Sequence, residues 1–241
     1  MRKSNLLIAF VFISFCGFSQ TKEYTLRVNS GLFTYVGSGA ERAEMMNYNL
    51  DRQDGYMNGP YGNKFGPCYG LSFNSTKINQ AGMRFAIGLG YEMLRSKILI
   101  DKISLYSYSQ SINETVDASG RMYLKNSMIN LFPSLGYRIV DGNVKVDFDF
   151  GLDIAYIISS KEDGKAKYDG QTYRTTRDRK NVPVDARLRG QLQVSKGQYG
   201  AYVGFAQGFV NYQGGMVGGP SYIALSRMIR FGMTYRLKFK E

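Results

Sequence analysis

Three aspartates, Asp147, Asp149 and Asp153, recur at even spacing within one stretch of the chain. Even spacing on an extended strand places side chains on one face. Carboxylates that share a face can move protons or hold a cation. The polar sides of this and other alternating stretches also carry Lys and Arg, and cations mixed among carboxylates favour ion pairs over either chemistry. Histidine is absent from all 241 residues. That removes Ser-His-Asp and Cys-His nucleophile systems, histidine bases and histidine metal ligands. The two cysteines, Cys16 and Cys68, are too few for a cysteine zinc site. Asp51-Arg52-Gln53-Asp54-Gly55 has a faint calcium-loop look, but lacks the spacing and the closing Glu, so it reads as a turn. The glycines from Gly214 to Gly219 lack the Lys and the helix of a phosphate loop and read as an external loop. No catalytic, metal or cofactor site is expected, and the chain reads as non-enzymatic.

Two clusters remain. The first comprises charges on polar strand faces: Arg27, Arg84, Arg138, Lys145, Arg187, Arg189, Arg230, Arg236 and Lys238, with Glu92, Asp147, Asp149, Asp153 and Asp185 as partners. Unpaired charge in a narrow interior is costly, so a packed ion-pair network is expected. An ion pathway or proton relay is the alternative reading. If segments 144–158 and 182–194 are neighbours, Asp149 and Asp153 lie near the level of Arg187 and Arg189. The second cluster lies in 159–181. Lys161, Lys165, Lys167, Arg174, Arg177, Arg179 and Lys180 outnumber Glu162, Asp163, Asp169 and Asp178, a net of +3 (seven minus four). With Tyr168 and Tyr173 they form a candidate external contact patch for sugar, lipopolysaccharide phosphate or protein, against the plainer reading of a solvated loop.

The elements that must hold these residues are strands. Glycine is abundant, at 28 residues, and aromatics reach 14% with no Trp, which excludes a disordered chain. Residues 1–19 read as a secretory signal peptide: Arg2 and Lys3, the apolar run Leu6 to Phe15, then Gly17 and Ser19 before Gln20. A lipoprotein signal using Cys16 is disfavoured by Phe15, where a small residue is expected. Cleavage leaves Cys68 as the single cysteine and lowers the formal charge from +12 by two, to +10. Residues 20–241 then form one domain.

Within that domain eight segments alternate apolar and polar residues with period two. The clearest are 83–93, 144–158, 182–194 and 229–239, the last with Ile229, Phe231, Met233, Tyr235, Leu237 and Phe239 on one face. Weaker ones are marked by Tyr24 to Leu32, Tyr69 to Phe73, Ile129 to Ile139 and Tyr199 to Phe209. Pro133 should mark a local irregularity, and Gln207 a rim or a bulge. Short links fall at Thr76–Gln80, Val140–Asn143 and Lys196–Gln198, with Asp141-Gly142 and Lys196-Gly197 suited to tight turns. Long links cover 36–66, 96–121, 159–181 and 212–223; the second is expected to be partly strand. The apolar face is aromatic and free of charge for about ten residues per strand, which covers the ~25 Å apolar band of a membrane barrel. Small residues beside paired charges can fill a narrow lumen. The expected fold is therefore all-β: an eight-stranded, antiparallel, up-and-down transmembrane β-barrel of the bacterial outer membrane. A soluble lipocalin-like barrel with a lipophilic ligand is the rival.

Asn130-Leu131-Phe132-Pro133-Ser134-Leu135-Gly136-Tyr137-Arg138, followed by a short turn and strand 144–158, resembles the outer membrane protein β-barrel family that includes PorT-like proteins. The ending Phe231-Gly232-Met233-Thr234-Tyr235-Arg236-Leu237-Lys238-Phe239 resembles the terminal strand of such barrels, although Lys240 and Glu241 follow the final aromatic. The resemblance implies a barrel over roughly 22–239 and, as one role, accessory or assembly work in type IX secretion. The residues themselves point to a side-chain-filled lumen with loops displayed outside. A narrow channel is disfavoured by the strand count. Outer-membrane lipid and lipopolysaccharide are the expected partners, with secretion or other envelope proteins as further ones. Nucleic acid is not among them.

Overall fold

The computed structural model describes residues 21–179, 182–214 and 222–237. Segment 1–19, read from the sequence as a signal peptide, lies outside the described residues, as do Lys180 and Lys238. Eleven strands are present: β1 (Thr21–Val36), β2 (Ala43–Asn49), β3 (Asp54–Met57), β4 (Lys64–Ile78), β5 (Met83–Ser107), β6 (Ile112–Asp141), β7 (Val144–Tyr168), β8 (Gln171–Thr175), β9 (Val184–Lys196), β10 (Tyr199–Gly208) and β11 (Leu225–Leu237). The described residues contain no helix. The expectation of eight strands is therefore corrected to eleven.

Eight of the eleven pair antiparallel in a closed circuit. It runs β1–β4–β5–β6–β7–β9–β10–β11 and returns to β1. Each segment recognised by its alternation supplies one member. The extra strands β2, β3 and β8 occupy the links 36–66 and 159–181, which read as loops because these short stretches do not alternate cleanly between apolar and polar residues. They close a second circuit. β2 pairs with β5 in parallel and with β3 antiparallel; β3 meets β8 at one parallel bridge, Gly55 to Thr175; β8 pairs with β7. Strands β5, β6 and β7, of 25, 30 and 25 residues, belong to both rings. The link 96–121 is thus almost wholly strand.

Alternation places side chains differently in the two rings. In the eight-strand ring the apolar face is turned outward: Leu131 is 42% exposed and Leu135 61%, while Asp153 and Arg187 between the strands are at 0%. In the upper ring the apolar face is turned inward. Met46, Met57, Ile98, Ile100, Ile103, Leu105, Met122 and Leu124 form one buried cluster. The change occurs within continuous strands. On β5 the inward series passes from Arg84 and Glu92 to Leu94 and Ile98, while the outward series passes from Leu89 and Tyr91 to Arg95 and Lys97. On β7 a register shift opposite Ser127 and Met128 accompanies it, so inward Ile157 is followed by inward Ser160 and Glu162.

Local chemistry explains the links at the lower end. Gly82 and Gly197 take positive φ, at 83° and 60°, where residues with a Cβ are strained. Gly142 is not among the positive-φ residues, so the Asp141-Gly142 turn does not use the glycine that way. Pro133 leaves the ladder in register: Leu131 faces Ile154 and Ser134 faces Gly151 with no shift between. The irregularities fall instead near Ser127 and Arg138, where the polarity changes and where the strand ends. Gln207 sits at the rim, accepting a hydrogen bond from Arg227 Nε at 2.8 Å.

Candidate functional site

The lumen of the eight-strand ring is filled by charge in two tiers. In the lower tier Arg84 reaches Asp147 at 2.7 Å and Asp149 at 2.9 Å, and Arg138 reaches Asp147 at 2.8 Å and Glu23 at 3.1 Å. Arg236 adds a contact to Glu23 at 3.3 Å, and Lys145 one at 3.8 Å. A Cβ at Gly136 would collide with the Asp149 carboxylate, so that glycine makes room for the pair. In the upper tier Arg230 reaches Glu92 at 2.5 Å and Asp153 at 2.7 Å, and Arg187 reaches Asp153 at 3.3 Å and Asp185 at 3.7 Å. Asn130 donates to Asp153 at 3.0 Å, and the Ser226 hydroxyl donates to Asp185 at 2.8 Å.

Two guanidiniums are held mainly by neutral partners. Arg27 donates to Gln193 at 3.0 Å and lies 5.3 Å from the Tyr202 ring centroid. Arg189 donates to Gln191 at 2.7 Å and lies 4.3 Å from the Phe132 ring, with Asp153 at 4.0 Å. The interior set named from the sequence is therefore brought together, with one change of partner. Asp153 faces Arg187 in the β7–β9 register, but Asp149 faces Gln191 and pairs with Arg84 of β5 over Gly136 of the strand between them. Glu23, which joins Arg138, Arg236 and Lys145, was missed. Its signal was the alternation Glu23, Thr25, Arg27 and Asn29 opposite Tyr24, Leu26 and Val28.

Above these tiers lies a buried cluster of aromatic rings. Tyr35 stands edge-on to Phe33, Tyr61 and Tyr212 at 5.1, 5.1 and 4.9 Å. Asn126 donates to its hydroxyl at 2.7 Å, and Tyr61 donates to the Tyr212 carbonyl at 3.0 Å. This aromatic layer joins the charged lumen to the apolar core of the upper ring.

The external patch is split by the structure. Lys161, Lys165, Lys167 and Arg174 are exposed on the outer face of β7 and β8, with Lys161 3.7 Å from Asp178. Tyr173 points inward and packs edge-on to Tyr48 at 4.8 Å, and Tyr168 packs against the same core. Arg179 turns inward as well, to Glu162 at 2.7 Å and to the Met57 carbonyl. Arg177 pairs with Asp54 at 3.2 Å and covers the Tyr56 ring at 4.5 Å. Segment 159–175 is thus a built strand pair, which corrects its reading as a solvated loop: alternate residues have a core to enter.

A site the sequence reading missed lies at the far tip, where β5 turns into β6. An open cleft of about 510 Å³ is lined by Asn47, Tyr56, Tyr106, Tyr108, Ser111 and Asn113, among others, and by no charged side chain. Tyr108 is 85% exposed. The turn is braced by Asp51, whose carboxylate accepts from Ser107, Ser109 and the Tyr108 amide. The hydrogen bonds from the two serines lower its pKa to about 2. On β2, burial raises the pKa of Glu44.

No family model matches the chain, and no curated relative matches it. Among solved structures, the chain is similar to the attachment invasion locus protein Ail of Yersinia pestis in complex with the heparin analogue sucrose octasulfate. The identity is 10% over 90% of this chain and 99% of that one, with a TM-score of 0.35. A second structure of Ail gives 10% identity over 89% and 98%, with a TM-score of 0.37. At that level of similarity the strand ladders, and not the likeness, carry the fold.

Proposed function

We propose that the chain is an integral outer-membrane β-barrel, non-enzymatic and plugged by its own side chains, that holds a rigid external module for contact with a partner. The single observation that carries this reading is the inversion of polarity along β5, β6 and β7. Water cannot surround the lower ring, because Leu131, Leu135, Phe148, Phe150 and Phe205 stand outward there with no polar cover. Water does suit the upper ring, whose outer face is charged. Tyrosines bracket the apolar belt, Tyr137 and Tyr199 below and Tyr91 and Tyr156 above, as aromatic girdles do in barrels. From the Tyr137–Phe148 pair to the Ile129–Tyr156 pair the strands advance eight residues. At ~3.3 Å each with a ~40° tilt, that is about 20 Å of membrane.

The rival readings fit less well. A soluble barrel with a lipophilic ligand needs an apolar lumen, and this one holds Arg84, Arg187 and Arg230. A channel needs a free path, and both tiers and the aromatic layer stand across it. The partner surface is the uncharged tip cleft, since Tyr, Ser and Asn supply rigid area and adaptable hydrogen bonds. Work in type IX secretion rests on the PorT-like resemblance alone; co-purification from native membranes tests it.

Heat-modifiable mobility on SDS gels tests closure, because a closed barrel resists SDS until boiled. Sidedness is tested by cysteines placed at Ser111 and at Gly142 in a C68S background. An impermeant thiol reagent should label Ser111→Cys on intact cells and Gly142→Cys only after permeabilisation. The reverse pattern inverts the topology. Recovery in the soluble fraction with unchanged mobility removes the membrane reading.

A further inference from the structure

The outer face of the upper ring carries cations in register. Arg95, Lys125 and Lys161 face one another across β5, β6 and β7, and Arg121, Lys165 and Arg174 do so across β6, β7 and β8. Like charges directly opposite on one sheet face repel, yet two rows of three are built here. Acids relieve the first row in part, through Lys125 with Asp163 and Lys161 with Asp178. In the second row no carboxylate lies within 4 Å of Arg121, Lys165 or Arg174 among the described residues. The Arg121 guanidinium lies 5.9 Å from the Tyr123 ring centroid. Folding alone does not reward such an array; an anion that spans it does.

Height selects the anion. Arg95 follows girdle residue Tyr91 by four positions on β5, and Lys125 precedes Ile129, the partner of Tyr156, by four on β6. Four strand residues at a ~40° tilt rise about 10 Å. The first row therefore stands just outside the apolar belt, where headgroups begin, and the second stands about another 10 Å out. A glycerol headgroup with one phosphate reaches only the first row. A phosphorylated sugar headgroup presents anions at both heights.

We propose that this two-row collar binds the phosphates of a phosphorylated glycolipid of the outer leaflet, fixing the depth and orientation of the module. The proposal rests on the membrane reading above. The full-length protein is folded into nanodiscs of zwitterionic lipid and titrated with purified lipopolysaccharide, with its dephosphorylated form, and with a soluble sulfated oligosaccharide. The phosphorylated glycolipid should bind best and weaken with salt. The variant R121Q/K165Q/R174Q should bind it roughly a hundredfold less tightly, at about a factor of five per cation, while keeping heat-modifiable mobility. Equal binding by the variant, or by the dephosphorylated form, overturns the proposal. Equal binding of the soluble oligosaccharide overturns it in favour of a free polyanion. Failure of the wild-type chain to enter nanodiscs removes the membrane reading and the collar with it.

Discussion

The two rings share three strands and obey opposite rules. In the lower ring charge is inside and hydrocarbon outside, and stability inside comes from pairing: Arg230 between Glu92 and Asp153, Arg84 between Asp147 and Asp149. In the upper ring Met46, Ile103 and Met122 are inside at 0% exposure and charge is outside, so stability comes from removing apolar surface from water. One backbone ladder supports both. The sheet therefore does not decide which face is buried; the medium around each level does. A substitution should have opposite consequences at the two levels, and that can be tested.

The largest effect is expected at Asp153. Asp153→Ala leaves Arg187 and Arg230 without their shared carboxylate, at a cost of about 3–5 kcal/mol. The folded band should melt in less urea, and a band as resistant as wild type would show that the upper tier is not an ion-pair core. Next comes Leu152→Arg, midway along β7 between Phe148 and Tyr156, which should cost about 2–4 kcal/mol if lipid surrounds it. Thr172→Arg, outward on β8, should stay within about 0.5 kcal/mol. Equal costs at the two sites would abolish the distinction between the media.

A third substitution acts only above. Ile103→Ala removes core volume from the upper ring, at about 2–4 kcal/mol. Protease should then cut the module of folded, membrane-inserted protein while the SDS-resistant barrel survives. Loss of the resistant band instead would mean that the two rings unfold as one unit. The smallest effect concerns the tip. Asp51 has a lowered pKa in the folded chain, so what its carboxylate contributes is present above its unfolded value and is lost as pH falls through about 2. Amide protection at Tyr108 should hold through pH 4 and decline only below the usual carboxylate range. Asp51→Asn should show the weaker protection at every pH.

The lower ring was legible because its strands alternate apolar and polar residues, most clearly from Val144 to Ile158 and from Ile229 to Leu237. The interior charges followed from the same alternation. What was not legible is the second ring. β3 has four residues and β8 five, and their partners are set by contacts across the ring. The reversal did leave a trace: on β5 apolar residues occupy odd positions up to Met93, then even ones at Leu94, Ile98 and Ile100. A change of parity without a turn is what one strand does on passing from one medium to another. The pairing of Asp149 with Arg84 was hidden because it passes over Gly136 from β7 to β5, and alternation reports faces, not which side chains reach past an intervening strand.

The continuity of β5, β6 and β7 through both rings also governs how the molecule bears load. A module tethered by flexible loops would swivel, and a pull at its tip would first straighten the tethers. Here a pull at Tyr108 runs along unbroken backbone into the membrane and loads the inter-strand hydrogen bonds in shear, many at once. The tip behaves as a stay-mounted mast with no hinge at its foot, so a partner gripped there is held at fixed height and bearing, and tension on it is felt by the barrel wall.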